Sequence, residues 1–339
     1  MLAKKVYIIA EAGVNHNGSI DMAYQLIDKA KEIGADCVKF QTFKAEQIVT
    51  ASSPKANYQL KVTDAQESQY DMLKKLELDK ADFKKLKDYC EKKGIDFMST
   101  PYNFEDADLL NDIGVSVFKI ASGQVAELPF LKYVAAFKKK MIVSTGMANM
   151  QEVKEAVETM HATGNKDIVI LQCNTDYPSK IEDTNLLAML TMRDQLKVKV
   201  GYSCHVPTNY ACFAAVALGA EMIEKHFTLD KTLPGPDHSC SLEPNEFKEL
   251  IEGIRSVEKS LGTGIKTPSE SEQKNTYGMR RSLVAKADIK EGTILKLEHI
   301  AFKRPMNGLS PNYLEKIVGK KVKKGMAKDA PFTKDDIDF

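Results

Sequence analysis

The 339-residue chain carries almost no net charge: 48 lysines and arginines stand against 47 aspartates and glutamates, leaving +1. Such a balance gives no reason to expect a nucleic acid or an anionic membrane as the main partner, although a local patch can still bind an anion. The six cysteines, at 37, 90, 173, 204, 212 and 240, include no Cys-x-x-Cys pair, which removes a metal-finger reading. Several lie inside apolar runs, the habit of reduced, packed thiols rather than of a disulfide framework. No stretch approaches the ~18 uninterrupted apolar residues of a membrane span, and the run after Met-Leu-Ala-Lys-Lys is too short for a signal peptide. The expectation is a soluble, cytoplasmic protein.

What the chain does have is a rhythm. From residue 6 to about 262 a short apolar or β-branched run, a polar turn and a longer segment of helical spacing recur. The candidate strands are 6–12, 37–43, 96–102, 117–123, 141–147, 168–174, 199–205 and 221–229. Eight strands separated by helices in roughly 260 residues predict a (β/α)₈ barrel over 1–262, with a doubly wound open sheet as the alternative. The helices carry their own signals: the one opening at Ser19 begins on a capping residue, ends at Gly34 and gathers Ile20, Ala23, Leu26, Ile27 and Ala30 on one face. Residues 44–78 form an unusually long second connection, read either as a lid or substrate loop or as a solvated insertion. Residues 263–278 are polar and nearly free of aliphatic side chains, which predicts a linker. The remainder, 279–339, reads as a small module of short strand-like runs, marginal alone and expected to dock against a barrel.

In such a barrel the chemistry sits at the carboxyl ends of the strands. Glu11, Lys39, Gln41, Thr100, Lys119, Ser122, Ser144, Asn174, Ser203, His205, Glu224 and His226 all fall there, and Asp237 follows in Pro-Gly-Pro-Asp-His. Charged residues inside strands are costly unless paired or used. Lys39 in Cys-Val-Lys-Phe-Gln and Lys119 in Val-Phe-Lys-Ile-Ala-Ser-Gly are flanked by strand formers, so both are expected to point inward. Two inward cations suit a phosphate or a carboxylate; a Schiff-base lysine and a plain salt bridge with Glu11 or Glu224 are the other readings. By strand alternation His205 shares a face with Ser203, and His226 with Glu224. Two imidazoles on adjacent strands can converge on one divalent ion.

Several strings along the chain now stand together: Ile-Ile-Ala-Glu-Ala-Gly-Val-Asn-His-Asn-Gly (8–18), Val-Lys-Phe-Gln-Thr-Phe (38–43), Phe-Lys-Ile-Ala-Ser-Gly (118–123), Ser-Thr-Gly-Met (144–147), Cys-Asn-Thr-Asp-Tyr-Pro (173–178), Gly-Tyr-Ser-Cys-His (201–205) and Glu-Lys-His-Phe-Thr (224–228). In this order they resemble the sialic acid synthase family almost end to end. The tail, from Arg280-Arg-Ser-Leu-Val-Ala through Lys303-Arg-Pro-x-Asn-Gly to the terminal Asp-Asp-Ile, resembles that family's antifreeze-like (SAF) domain. The resemblance implies a metal-dependent condensation of phosphoenolpyruvate with an N-acylated mannosamine-type aldose, giving a nine-carbon 2-keto acid and phosphate. It implies Mn²⁺ or Mg²⁺ on His205 and His226, and phosphoenolpyruvate on Lys39, Thr100, Lys119, Ser122, Ser144 and Ser203. Gln41, Asn174, Tyr177 and Asp237 would face the sugar, with Glu11 or Glu224 as base or charge stabiliser. It further implies a domain-swapped homodimer in which Arg304 of the partner chain reaches the N-acyl group.

One departure is Cys204, where the family usually has Asp or Gly; alternation points it away from His205, which leaves the support of that histidine open. N-acetylmannosamine is the expected acceptor, with 2,4-diacetamido-2,4,6-trideoxymannose of the legionaminate branch as the alternative; the two differ at carbons four and six. Lys-Phe-Gln-Thr-Phe departs from the pseudaminate pattern. A Schiff-base aldolase and a non-catalytic sugar-binding protein are the readings from other classes.

Overall fold

The computed structural model describes residues 5–56, 58–64 and 66–339. The chain divides into two compact units, 1–263 and 264–339. In the first, β1 (Tyr7–Gly13), β2 (Cys37–Thr42), β3 (Asp96–Pro101), β4 (Val117–Ile120), β5 (Lys140–Ser144), β6 (Ile168–Cys173), β7 (Lys199–Cys204) and β8 (Met222–His226) form one parallel sheet in the order β3-β2-β1-β8-β7-β6-β5-β4. β3 and β4 pack against each other and complete the ring, so the architecture is the (β/α)₈ barrel.

Two apolar layers hold it. Inside the ring Ile9, Cys37, Met98, Ile142, Val169 and Met222 fill the floor. Between ring and helices lies the larger core, to which Ile20–Glu32 contributes Ala23, Leu26 and Ile27, each fully buried. A buried Leu or Ile is worth about 1.5–3 kcal/mol, so that face alone anchors the helix. Ser19 accepts from the Met22 N–H and caps it. At Gly201 the inner layer leaves no room for a side chain: a Cβ would stand 2.5 Å from the Met222 carbonyl oxygen and 2.7 Å from Leu171 Cδ2.

Three strands end three residues earlier than their apolar runs. The run 117–123 leaves the sheet after Ile120 into a 3₁₀ turn at Ser122–Gln124, 141–147 stops at Ser144 and 221–229 at His226. Met147 sits in left-handed backbone with φ of 67°, which no strand accommodates. Residues past these strand ends are free to turn over the mouth of the barrel.

The 44–78 connection is folded rather than an extended solvated insertion, with short helices at Ala45–Ile48, Gln59–Val62 and Gln69–Lys75. Met72 and Leu76 pack on Val14 and Phe43 at the barrel rim. Lys55 is buried and donates to Thr63 Oγ1 (3.0 Å), the Asp64 carbonyl (2.7 Å) and Glu67 Oε2 (3.1 Å), tying the excursion to itself.

In the second unit the stretch expected as a linker contains a helix, Glu270–Met279. The reason is local: Ser269 and Glu272 form a reciprocal capping box, which supplies a start that the lack of an apolar face concealed. Beyond it β9 (Ser282–Ala285) pairs antiparallel with β10 (Ile300–Lys303), and β11 (Lys321–Val322) with β12 (Ile337–Asp338). Leu283, Leu295, Ile317, Val322, Phe332 and Ile337 form the core of this unit. Among the described residues no helix is long and apolar enough to cross a membrane.

Two histidines of the first unit are buried and uncharged. Burial lowers His16 to about 4, nearby His238 adding to the fall, and burial also lowers His238 to about 4. Above pH ~6.5 both rings are neutral in the folded and unfolded chain, so neither contributes. As the pH falls from 6.5 toward 4 the unfolded chain takes up protons that the fold refuses, and stability is progressively lost. Chemical denaturation of His238→Asn should therefore show a shallower loss of stability between pH 6.5 and 4 than the unaltered chain; equal slopes would contradict the assignment.

Candidate active site

Register brings the charged residues together. Regular pairing sets Glu11 opposite Lys39 on β2 and His226 on β8, the register shifting only after Glu11, while Glu224 stands opposite Ser203 on β7. The side chains meet above the apolar floor: Lys39 Nζ lies 2.8 Å from Glu11 Oε2 and 3.5 Å from Glu224 Oε1, and Lys119 Nζ is also 3.5 Å from Glu224 Oε1. All four are at least nineteen-twentieths buried. Lys119 donates to Ser144 Oγ (2.7 Å), Lys39 to Thr100 Oγ1 (3.3 Å), Ser203 to Glu224 Oε1 (3.3 Å) and Gln41 to Glu11 Oε1 (3.1 Å). The salt-bridge reading of the lysines thus describes their contacts, and the serine and threonine hydroxyls arrive with them.

These side chains line a cavity of about 440 Å³ at the carboxyl ends of the strands, as do Ser122, Tyr177, His205, His226 and Asp237. Asn174 and Arg304 are the exceptions. The Asn174 side chain lines a neighbouring cavity and donates to the Asp183 carbonyl (2.6 Å), because the chain turns outward directly after β6. Arg304 lies on the second unit, exposed just past β10.

The electrostatics divide the two glutamates. Burial pushes the Glu11 carboxyl up, Lys39 opposing and Glu224 adding to the rise. Burial acts the same way on Glu224, but Lys119 and then Lys39 outweigh it and hold that carboxyl below the usual glutamate value. Burial also lowers Lys119, whereas at Lys39 it is outweighed by Glu11 and Glu224, which raise it. Asp237 is pushed up to about 7 by burial, with Glu11 next in size. One carboxyl poised to keep its proton beside one poised to lose it is the arrangement that separates acid from base.

The histidine rings stand 5.3 Å apart between centroids, and Tyr177 packs on both at 4.1 Å and 5.5 Å. His205 Nδ1 donates to the Asn174 carbonyl at 2.5 Å, which fixes the ring and leaves the lone pair on Nε2. So the support of His205 comes from the residue expected to face the sugar. His226 Nδ1 is buried without a hydrogen-bond partner, 3.9 Å from Asp237 Oδ2, and burial followed by His205 holds that ring well below its ordinary value. An orphaned, neutral imidazole nitrogen beside a second fixed imidazole is a donor set that fits a divalent cation. Among the described residues no third His, Cys, Asp or Glu completes a closed cage.

Among the lining residues that escaped the sequence reading are two tyrosines. Tyr58, in the 44–78 excursion, stacks on Tyr177 at 4.8 Å between centroids, and Tyr102 donates to Gln41 Oε1 (3.1 Å). Tyr102 follows β3 directly, a position that could have flagged it; nothing in the sequence around Tyr58 marks it.

A closed barrel with paired lysines, divided glutamates and a histidine pair at its carboxyl mouth has the form of an enzyme site at the usual end of a (β/α)₈ barrel. Residues 26–266 match the NeuB family and residues 280–338 the SAF domain. The chain belongs to the NeuB family, and it is an enzyme of the transferase class that forms carbon–carbon bonds. It is 49% identical to the N,N'-diacetyllegionaminic acid synthase of Campylobacter jejuni over 96% of this chain and 98% of that one. The N,N'-diacetyllegionaminic acid synthase of Legionella pneumophila is 42% identical over 93% and 90%. Among solved structures, the N-acetylneuraminic acid synthetase of Leptospira borgpetersenii superposes with a TM-score of 0.72 at 34% identity, over 80% of this chain and 90% of that one.

The turn after β5 is a sensitive point. Gly146 N–H donates to Ser122 Oγ (3.0 Å), and a Cβ there would stand 2.1 Å from Thr175 Oγ1 and 2.9 Å from Ser122 Oγ. Gly146→Ala should therefore cut kcat/KM by on the order of tenfold or more by displacing Ser122 while the barrel stays folded. Steady-state kinetics with circular dichroism checks this; full activity would show that Ser122 is not placed for substrate.

Proposed function

We propose that this enzyme condenses phosphoenolpyruvate with 2,4-diacetamido-2,4,6-trideoxymannose and water to give N,N'-diacetyllegionaminate and phosphate. The expectation of N-acetylmannosamine gives way to the alternative acceptor because both relatives named for a legionaminic acid synthase align along nearly the whole chain. The observation that carries the choice is the character of the cavity wall. The reacting aldehyde must reach the charged floor, so carbons four to six point up toward the 44–78 excursion. There the lining is Ile48, Val49, Ala56, Tyr58, Met72 and Leu73. A methyl at carbon six suits the apolar part of that wall, and the amides of Gln59 and Gln69, which line it as well, suit an acetamido group at carbon four.

Lys119 with Ser144 and Lys39 with Thr100 are the groups we assign to the phosphate and carboxylate of phosphoenolpyruvate. Their two positive charges are matched by two glutamates before substrate arrives, so the incoming anion competes for lysines already in position. His205 and His226 would hold Mn²⁺ or Mg²⁺, which when bound polarises the aldehyde carbonyl. As the methylene carbon attacks, the aldehyde oxygen gains a proton from Glu11, which takes one up once the incoming anion draws Lys39 away from it and burial is no longer opposed. The enol carbon becomes cationic, and the ionised Glu224 between the two lysines stabilises it and takes a proton from the water that adds there. Loss of phosphate completes the balance. Tyr177, Gln41 and Asp237 orient the sugar, and in a homodimer the partner's exposed Arg304 is assigned to an N-acyl group.

The deciding experiment is phosphate release from phosphoenolpyruvate with Mn²⁺, comparing the two acceptors with and without a chelator. Chelator-sensitive release that favours the 2,4-diacetamido sugar is expected. Preference for N-acetylmannosamine would overturn the acceptor, release immune to chelator would overturn the metal, and no release with either would overturn the reaction. Lys119→Ala should lower kcat/KM by on the order of 100-fold or more, while exposed Lys92→Ala should leave it unchanged; equal rates would sink the anion role of Lys119.

A further inference from the structure

Glu224 and His226 point into the barrel, so Lys225 between them points out, into the layer between sheet and helices, where it is 3% exposed. Nothing in the chemistry above uses it. Its three N–H donors are all engaged, and all on one short segment: Val206 carbonyl at 2.6 Å, Thr208 carbonyl at 3.0 Å and Cys204 Sγ at 3.2 Å. Among the described residues it makes no ion pair with a carboxylate.

A buried ammonium without a carboxylate is an expensive way to fill space, since an apolar side chain of similar length would pack as well. What the ammonium supplies is direction. Its acceptors lie on both sides of His205, while its own backbone neighbour on β8 is His226. One side chain therefore ties the strand bearing one imidazole to the turn bearing the other. Strand pairing alone does not do this: the β7–β8 ladder runs through Tyr202, Ser203 and Cys204 and stops one residue short of His205.

We propose that Lys225 is a positioning residue that sets the His205–His226 separation by clamping the 204–208 turn to β8, with Cys204 as its side-chain acceptor. Cys204, the departure from the Asp or Gly expected at this position, then has a role: its sulfur takes the place of a carboxylate as the acceptor for Lys225. The inference rests on the reading of the histidine pair as a cation site.

The test is Mn²⁺ affinity of the full chain, read from the free-ion signal in electron paramagnetic resonance, alongside kinetics at saturating Mn²⁺ and thermal melting. Lys225→Met should weaken Mn²⁺ binding about 10- to 100-fold, the usual effect of removing support from a metal ligand, with kcat at saturating Mn²⁺ largely recovered. Lys225→Arg should regain part of the affinity. A folded Lys225→Met that binds Mn²⁺ within about twofold of the unaltered chain would overturn the clamp and leave Lys225 a packing residue. Should Lys225→Met not fold, Cys204→Ala and Cys204→Asp decide: weaker binding in the first and restored binding in the second support the clamp, and unchanged binding in Cys204→Ala overturns it. If the unaltered chain takes up no Mn²⁺, the cation reading itself fails and the inference falls with it, whereas normal binding by the unaltered chain and by every variant removes the clamp alone.

Discussion

Lys39 is held between Glu11 and Glu224, and Glu224 is shared with Lys119, in a layer where all four side chains are buried. Four charges taken out of water would ordinarily weigh against folding, and a buried ion pair at best roughly offsets its own desolvation. Their retention makes sense as preorganisation. Each lysine already has a carboxylate partner, so under the proposed reading an incoming anion finds both ammonium groups in position and exchanges with the glutamates for them. The divided behaviour of Glu11 and Glu224 follows from the same contacts: Glu224 touches two lysines and Glu11 one, so burial wins at the second and loses at the first.

The rest of the barrel can be understood as support for that layer. Beneath it the floor is apolar and has no room for a side chain at Gly201, which fixes the height at which the charged groups sit. Above it the 44–78 excursion closes one side, and what it contributes is apolar surface rather than further charge. Under the proposed reading, the chemistry of the charged layer and the selectivity of the wall are thus built from different parts of the chain. That separation lets the wall change without disturbing the lysines, which is the condition under which one barrel accepts sugars differing only at their far carbons.

The parts legible in the sequence were those governed by short-range periodicity. Eight apolar runs and their capped helices gave the barrel, and strand alternation was enough to turn Lys39, Lys119, Glu224 and the two histidines inward. What lay beyond that reading depended on where the chain turns. Strand ends set by Met147's left-handed backbone, or by the 3₁₀ turn at Ser122, leave no mark in hydrophobicity. Asn174 sat at a strand end as expected, yet its side chain is carried to Asp183 and only its carbonyl serves the site. Tyr58 reaches Tyr177 only because the excursion folds back on itself around Lys55, a long-range event that no local pattern announces. The helix at Glu270–Met279 failed the test of apolar spacing for a plain reason: it buries no residue, and only its capping box betrays it.

Strand parity also separates what this site does from how it is kept in place. On β8 the inward positions carry a carboxylate and an imidazole, while the position between them faces the helices and carries an ammonium whose bonds all go to the neighbouring turn. On β7 the same alternation turns Ser203 inward and Cys204 outward to meet that ammonium. A run such as Glu-Lys-His is therefore two layers of one device written into three consecutive residues. The inner layer needs specific chemistry; the outer needs only donors and acceptors that span the gap between strand and turn. A sulfur is adequate at Cys204 for that reason, since it stands 3.2 Å from Lys225 Nζ and supplies the acceptor that the ammonium requires there.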